Sequence, residues 1–150
     1  LRYLGKLHHR EVFLMKLHHI GIAVKDLETA MRFYGEVLKL RLVGVEEVPE
    51  EGVKIAMYDA GGVRVELLSG SRPDSAITKF IEKRGEGIHH IAFHVDNVDE
   101  VCNELSKAGM QLTYPQPKLV SGGARKINFI NPRSTGGVLI EVVTEVRGHE

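Results

Sequence analysis

The chain has one cysteine and no excess charge of either sign, and both facts limit what it can be. Because Cys102 is the only cysteine, an intramolecular disulfide and a thiolate metal cluster are excluded. Twenty basic residues balance twenty acidic ones, so the overall charge gives no reason to expect nucleic acid or a membrane surface as the partner. With 43% hydrophobic and 27% charged residues, the 150-residue chain has a globular composition and can bury a core.

Long hydrophobic runs are also missing. The longest, such as residues 137–143, are far too short to span a bilayer, and the N-terminus does not combine a basic flank with an apolar signal core. A cytoplasmic protein is therefore expected. Met15 immediately precedes a clean strand pattern, so we expect residues 1–15 to form an extension with a non-native start, and 147–150 a tail.

The chain does contain a copy of part of itself. The segment 18–24 (HHIGIAV) recurs as 89–95 (HHIAFHV), 71 residues later (89 − 18). Each copy leads into an amphipathic helix behind a polar cap, which is Asp26 in the first copy, and Gly109 suits the end of the second helix. The apolar stripes of the two helices are Leu27, Ala30, Met31, Tyr34 and Leu38, and Val98, Val101, Cys102, Leu105 and Ala108. Cys102 is thereby interpreted as a buried hydrophobe rather than a nucleophile.

Three short β-like runs follow each helix. They span 41–48, 53–60 and 63–69 in the first copy, and 110–114, 124–131 and 138–144 in the second, with a Gly-Gly turn before the last strand of each. A further helix, capped by Asp74 and carrying Ile77, Phe80 and Ile81, links the copies. The sequence therefore predicts an α+β protein with two βαβββ modules, 16–84 (with the linking helix) and 85–146. Such modules pair about a pseudo-twofold axis, which brings equivalent residues together.

Strand alternation selects one histidine from each doublet. His18 shares its face with Ile20, Ile22 and Val24, the bulky apolar face expected to pack on the helix. His19 lies on the other face beside Gly21 and Ala23, where small neighbours leave room for a ligand. The same alternation selects His90 over His89.

Glu66 and Glu141 interrupt strongly apolar strands at equivalent places in the two copies. A carboxylate there is costly unless it is exposed, paired or coordinated, and singly each is more often just on a solvated face. Two His and two Glu at duplicated positions, however, form a set suited to one divalent metal ion. His19, Glu66, His90 and Glu141 are therefore the predicted metal ligands.

The motifs from His19 to Val24, from His90 to Phe93 and from Gly137 to Glu141 resemble the vicinal oxygen chelate superfamily, which includes glyoxalase I and extradiol dioxygenases. Within it, residues 16–144 resemble the methylmalonyl-CoA epimerase family. The specific marks are 51–53 (EGV), 74–77 (DSAI), 85–92 (GEGIHHIA) and, most strongly, the run from Tyr114 to Pro132.

The resemblance implies a vicinal oxygen chelate fold, with a curved mixed sheet around the metal, and the same four ligands. It implies an acyl-CoA substrate, methylmalonyl-CoA, whose α-proton is removed and returned through a metal-stabilised enolate, so that the (2R) and (2S) forms interconvert. Glu141 is the candidate catalytic base. The metal is Co, Mn, Ni, Zn or Mg, and the expected assembly is a homodimer.

Inversion most simply needs two bases, one on each face of the planar intermediate. In several bacterial members a second glutamate lies three residues after the glycine of the Glu-Gly-Val stretch, and this chain has Ile55 there. The sequence therefore names no second base.

The glycine-rich turn 122–123 is a candidate anion site, because cations flank it and turns offer backbone donors. A basic surface hairpin is an equal interpretation of the pattern, while the family resemblance favours contact with the substrate carboxylate or the coenzyme A phosphates. The predicted substrate-binding residues are Lys118, Ser121, Gly122, Gly123, Arg125 and Lys126.

Two alternatives stay open. The four ligands suit equally a glyoxalase I-type lyase acting on a glutathione hemithioacetal, and the run 114–132 favours the epimerase only through resemblance. A metal-free small-molecule-binding module of the same fold gives no reason for four coordinating residues at duplicated positions. A ring-cleaving dioxygenase usually needs a three-ligand site, so the fourth ligand counts against it.

Overall fold

The computed structural model describes residues 14–146. Most of the expected extension and the tail lie outside these residues. The first module contains strand β1 (Lys16–Ala23), helix α1 (Leu27–Met31) continued by a π-helical segment (Arg32–Val37), β2 (Arg41–Val48), a 3-10 turn (Pro49–Glu51), β3 (Val53–Asp59) and β4 (Arg64–Gly70). Helix α2 (Ala76–Arg84) links it to the second module, which contains β5 (Gly87–His94), α3 (Val98–Lys107), β6 (Lys118–Val120), β7 (Arg125–Ile130), α4 (Pro132–Thr135) and β8 (Ile140–Glu145).

All eight strands form one mixed, curled sheet in the order β2-β3-β4-β1-β5-β8-β7-β6. Each half has the same order outward from the centre, and the first strands of the two modules, β1 and β5, pair antiparallel. Each of these strands also pairs in parallel with the last strand of its own module, β4 or β8. The α+β architecture with two βαβββ modules is thus confirmed, and the repeat determines the sheet order.

The two sides of the sheet have different partners. Helix α1 packs against a cluster around Val24, Tyr58 and Leu67, and α3 against one around Val95 and Val142. Helix α2 packs on the opposite side, where Ile77, Phe80 and Ile81 join a cluster of inward-facing strand residues. Because α1 and α3 cover the outer side, the inner side is left to form a cavity.

Three local predictions were wrong. Helix α2 is capped by Ser75, whose hydroxyl accepts a hydrogen bond from the Thr78 amide at 3.1 Å, whereas Asp74 faces solvent and pairs with Arg72. Residues 110–114 form no strand but a single bridge, Leu112 to Ile130, because the strand that pairs with β7 is β6. The Asp26 cap of α1 is confirmed, yet Leu38 is exposed, because the helix winds into the wider π form and its stripe rotates away from the core.

Candidate active site

The histidine doublets lie at the centre of the sheet, where the two modules meet. In the β1–β5 ladder the register shifts at both doublets, so His18 and His89 have no partner residue across the ladder. Each is the extra residue of a β-bulge. His19 then lies opposite Ala92, and His90 opposite Gly21. Small residues therefore face both imidazoles across the ladder, in addition to the small neighbours on the same strand that alternation predicted.

The bulges also bring the two histidines of each doublet together. The Nδ1 atoms of His18 and His19 are 2.7 Å apart, and those of His89 and His90 are 2.9 Å apart. Strict alternation would place these neighbours on opposite faces of the sheet. Alternation thus identified the buried histidines, but it did not predict that their neighbours would contact them.

The two glutamates reach the same place from the last strands. Glu66 on β4 pairs with Gly21, and Glu141 on β8 pairs with Ala92, so each lies one strand away from a buried histidine. Glu66 is 1% exposed and Glu141 7%. The duplicated positions predicted from the sequence therefore converge about the pseudo-twofold axis.

Three of the four predicted ligands form a compact triangle. The Nε2 atoms of His19 and His90 are 3.0 Å apart, and Glu141 Oε1 lies 3.4 Å from the first and 3.0 Å from the second. Ligand atoms about 2.0–2.2 Å from a metal ion lie roughly 3 to 3.5 Å from one another. The triangle therefore has the dimensions and the donor chemistry of a divalent metal site.

Glu66 approaches from the other edge of His19. Its Oε2 is 3.5 Å from His19 Nδ1 and 3.2 Å from Arg64 Nε. This buried oxygen makes no hydrogen bond to any residue in the range 14–146. The Arg64 guanidinium compensates part of its charge, but the hydrogen-bonding capacity of this buried oxygen is unused, and a metal cation beside it would use that capacity.

The environment keeps Glu141 ionised. Burial alone would raise its pKa, but the hydrogen bonds and charges of His19 and His90 outweigh burial and hold the pKa well below its usual range. Burial lowers the pKa of the neighbouring His89 to about 4, with the charge of His90 acting in the same direction. The site thus combines an anionic carboxylate with a neutral imidazole, His89, on its rim.

These residues line a cavity of about 290 Å³ between the inner side of the sheet and α2. Much of its wall is apolar: Val53, Ile55, Leu68, Ile77, Val120, Ile127, Phe129 and Leu139. Ile55, at the position where some bacterial relatives carry a glutamate, points into this cavity and is buried. An apolar wall around a few polar groups is typical of a small-molecule site.

A second polar group in the cavity was not singled out by the sequence. Glu51 Oε1 accepts a hydrogen bond from the Tyr114 hydroxyl at 3.2 Å and lies 3.2 Å from Lys118 Nζ. Burial raises the pKa of Tyr114 to about 12, and the carboxylates of Glu51 and Glu141 act in the same direction. The 63 residues between Glu51 and Tyr114 explain why no local pattern revealed this pair.

The structure divides the predicted substrate-binding residues. Arg125 lines the cavity and pairs with Glu46 and the Ser121 hydroxyl, whereas Lys126 pairs with Asp99 at 2.5 Å and does not line the cavity. In the turn itself the amides of Ser121 and Gly123 donate to Glu50 and to the Val120 carbonyl. These backbone donors are already used, which weakens the expected anion site at Gly122 and Gly123.

The fold and the duplicated site define a class. Residues 18–129 match the family model described as the Glyoxalase/Bleomycin resistance protein/Dioxygenase superfamily, and the chain belongs to it. The mitochondrial methylmalonyl-CoA epimerase of Mus musculus is 35% identical over 86% of this chain and 72% of its own length. Within the superfamily, the chain belongs to the methylmalonyl-CoA epimerase family.

Two further proteins are similar to this chain over most of their length. An uncharacterized protein of Bacillus subtilis is 42% identical over 85% of this chain and 90% of its own length. A solved structure of a Streptomyces coelicolor methylmalonyl-CoA epimerase variant in complex with 2-nitronate-propionyl-CoA is 35% identical, with a TM-score of 0.80, and the match covers 87% of this chain and 97% of that one.

Proposed function

We propose that this protein interconverts the two C2 epimers of methylmalonyl-CoA by moving the α-proton. The observation that carries the proposal is the convergence of His19, His90 and Glu141 in a cavity with a largely apolar wall, on a chain of this family. The reaction needs a group that takes a proton next to a thioester and a group that stabilises the resulting negative charge. The cavity offers residues suited to both tasks.

The donor set fits one divalent ion. His19, His90 and Glu141 would hold it, and the identity of the ion stays open among Co, Mn, Ni, Zn and Mg. Glu66, the fourth predicted ligand, lies at the Nδ1 edge of His19, away from the Nε2 atom that belongs to the triangle, so it would join the set only after its side chain or the His19 ring turned. When bound, such an ion supplies Lewis-acid stabilisation of negative charge on the thioester oxygen.

Glu141 is the proposed base on one face of the substrate. Its carboxylate is ionised because the two imidazoles hold its pKa low, and its Oε1 faces the cavity side where His19 and His90 meet. In this step the C2–H bond breaks, the proton goes to the carboxylate, and the electron pair delocalises onto the thioester carbonyl.

Glu51 and Tyr114 are proposed to serve the other face. Among the other ionisable residues lining the cavity, Arg125 pairs with Glu46, and His89 contacts His90 on the rim. Tyr114 holds a proton at Oη, which it donates to Glu51, and it lines the same cavity as Glu141. The hydroxyl returns its proton to C2, and Glu51, whose side chain is 30% exposed, replaces that proton from solvent.

The substrate carboxylate needs a cation. Arg125 lines the cavity, and it is held in place by Glu46 and Ser121. A guanidinium in this position matches a carboxylate geometrically, so Arg125 and Ser121 remain the favoured contacts from the predicted set.

The test is incubation with a single epimer of methylmalonyl-CoA in D₂O, with and without chelator, while deuterium at C2 and the configuration are followed. We expect metal-dependent exchange together with inversion. If the protein instead turned over the methylglyoxal–glutathione adduct without exchanging methylmalonyl-CoA, the lyase alternative would replace the epimerase. Absence of both activities and of bound metal would favour a binding module.

The remaining predictions concern assembly and location. Among residues 14–146 no helix is long and apolar enough to cross a membrane, and the cytoplasmic location stays a prediction. For the predicted homodimer we place the contact at the edge strand β2 and the π-helical segment before it. Their side chains form an exposed apolar strip of Phe33, Val37, Leu38, Leu42, Val43 and Val45.

A further inference from the structure

The histidine beside the first predicted ligand is itself bonded to a carboxylate. His18 Nε2 lies 2.7 Å from Oε1 of Glu145 at the end of β8, and His18 Nδ1 lies 2.7 Å from His19 Nδ1. Three side chains therefore form a chain from the surface, where the Glu145 side chain is half exposed, to the buried imidazole of His19. Glu145 belongs to the second module and both histidines to the first, so the chain joins the two modules.

The direction of each hydrogen bond in this chain follows from its outer end. An ionised carboxylate only accepts hydrogen bonds, so the proton between Glu145 and His18 belongs to His18 Nε2. Arg64 Nη2 is farther from that nitrogen, at 3.4 Å, and lies 3.5 Å from Glu145 Oε1, which can accept from both residues. With Nε2 protonated, the Nδ1 atom of a neutral His18 is an acceptor, and His19 Nδ1 donates to it.

A proton on Nδ1 leaves the other ring nitrogen of His19 with a lone pair for a metal ion. That nitrogen, Nε2, is the atom that belongs to the triangle with His90 and Glu141. Glu66 Oε2, which is 3.5 Å from Nδ1, also favours a proton there, whereas the acceptor nearest Nε2 on the opposite side, Glu141 Oε1, is 3.4 Å away. Metal-binding histidines commonly donate their second N–H to a group that fixes the tautomer and the ring orientation. Here that group is His18.

The second module has no equivalent of Glu145. His89 contacts His90 with 2.9 Å between the Nδ1 atoms, but among residues 14–146 no carboxylate pairs with His89. The His89 ring instead packs edge-on against Phe80, with 4.9 Å between the ring centres. The duplication therefore explains the two histidine doublets, but it does not explain the carboxylate behind His18.

The same atoms allow another interpretation, a second metal site. His18 Nδ1, His19 Nδ1 and Glu66 Oε2 are close enough to share one ion. The Arg64 guanidinium counts against this interpretation, because it lies 3.2 Å from that Glu66 oxygen and 3.4 Å from His18 Nε2, where it would repel a cation. A hydrogen bond between the two imidazoles adds no charge beside Arg64, and the geometry favours it.

We propose that the Glu145–His18 pair is a positioning element of the metal site, which holds His19 with its proton on Nδ1 and its Nε2 towards the ion. Both residues act only through His19 and are not ligands themselves. The inference rests on the proposed metal site, but it does not depend on which thioester the protein converts.

The first test measures Co²⁺ affinity by competition with a chromophoric chelator. His18→Leu removes the acceptor, and affinity should fall about 10- to 100-fold. His18→Asn places an oxygen acceptor, Oδ1, at the position of Nδ1 and should restore affinity to within about threefold of the wild type. His94→Leu is the matched control: the His94 ring stacks on His18 with 6.4 Å between the centres, and among residues 14–146 it has no hydrogen bond to either histidine.

NMR spectroscopy of ¹⁵N-labelled histidine rings in chelator-treated protein gives a readout that needs neither turnover nor metal. The wild type should show His19 protonated at Nδ1, with its signals identified by their loss in His19→Asn. Glu145→Gln should show both tautomers of His19 and weaker Co²⁺ binding, because an amide donates as well as accepts. Glu104→Gln, which changes a partly exposed, ion-paired glutamate of α3, is the control for this substitution and should match the wild type.

Several results would overturn the proposal. One is a wild-type His19 protonated at Nε2, and another is unchanged Co²⁺ affinity in both His18→Leu and Glu145→Gln. Equal losses in His18→Leu and His18→Asn would show that the ring serves packing alone. Loss of a second equivalent of bound metal in His18→Leu would make His18 a ligand. If His19 carries its proton on Nδ1 and the protein binds metal but epimerises no methylmalonyl-CoA, only the proposed function fails.

Discussion

At the scale of single residues, Gly21 determines where the imidazole of His90 can lie. A Cβ atom added at Gly21 would stand 2.6 Å from His90 Nδ1 and 2.8 Å from Nε2, closer than atoms tolerate. The equivalent position in the second module, Ala92, carries a methyl group opposite His19. The two halves of the site are therefore similar but not interchangeable.

Gly21→Ala should therefore displace His90 and weaken metal binding about 10- to 100-fold, the range observed when the support of a metal-binding histidine is lost. Metal affinity measured by competition with a chromophoric chelator checks this. Gly44→Ala is the matched control, because a Cβ there would meet only Met57 Cε at an ordinary 3.6 Å. Unchanged affinity in the Gly21 variant would show that His90 does not bind the ion.

The Glu51–Tyr114 pair gives a second prediction at the same scale. With Glu51→Gln, inversion should fall by about 10²- to 10⁴-fold, the usual contribution of a general acid or base. For the epimer whose C2 proton faces Glu141, exchange of that proton for deuterium should persist, with the configuration at C2 retained. Mass spectrometry combined with chiral analysis in D₂O separates exchange from inversion.

Glu47→Gln serves as the control for the same chemical change, since Glu47 is an exposed residue of β2. Equal loss of exchange and inversion for both epimers in the Glu51 variant would mean that Glu51 supports the site as a whole instead of serving one face.

At the scale of elements, the cap of α2 matters because this helix covers the cavity. The Ser75 hydroxyl is buried and interacts with both the amide and the hydroxyl of Thr78. Asp74, which sequence alone favoured, is held outside by Arg72, and this ion pair lowers the pKa of the Asp74 carboxyl. The observed cap, Ser75, is one residue further along the chain than the expected cap, Asp74, and the first side chain is buried whereas the second is exposed.

Ser75→Ala should lower the free energy of unfolding by about 1–2 kcal/mol, since the cap hydrogen bond to the first turn is lost. Asp74→Ala, the paired control, should have a clearly smaller effect. Urea denaturation followed by circular dichroism measures both. The reverse ranking of the two variants would restore Asp74 as the cap.

At the scale of the whole molecule, the predicted ligands come from both modules, His19 and Glu66 from the first and His90 and Glu141 from the second. A bound ion therefore joins the two halves of the sheet and should stabilise the folded chain. At a free concentration of one hundred times Kd, binding contributes about 2.7 kcal/mol.

Since Tm changes by about 2–4 °C per kcal/mol for a chain of this size, chelation should lower Tm by roughly 5–10 °C. Differential scanning calorimetry with and without EDTA measures this shift. The variant His90→Ala should melt at the same temperature in both buffers. A chelator effect that survived in this variant would place the ion elsewhere.

Assembly is predicted at the same scale. Val45→Asp introduces a charge into the exposed strip on β2 and should convert the homodimer to a monomer in light-scattering measurements. Leu119→Asp makes the same kind of change on β6, the other edge of the sheet, where the side chain is 56% exposed. Only the β2 variant should dissociate, and dissociation of the β6 variant alone would move the interface.

The architecture and the buried histidines and glutamates predicted as metal ligands could be read from the sequence alone, because a repeat carries long-range information in a local pattern. Copies 71 residues apart imply a pseudo-twofold arrangement, and alternation on a strand then separates His19 from His18 and His90 from His89. Neither inference requires knowledge of the contacts between residues that are distant in the sequence.

Other features could be found only in the folded protein. They are contacts between residues that are distant in the sequence and have no counterpart in the other module. Three features depend on loop paths and on how α2 packs: the contact of Glu51 with Tyr114, the pairing of Lys126 with Asp99, and the position of the cations of α2 beside the cavity. Whether two charges pair depends on their distance in space. The sequence does not show this distance, so it does not distinguish a basic residue beside the glycine turn from one on the linking helix. In the folded protein the basic residues at the turn pair with carboxylates, whereas those on the helix pair with none among residues 14–146.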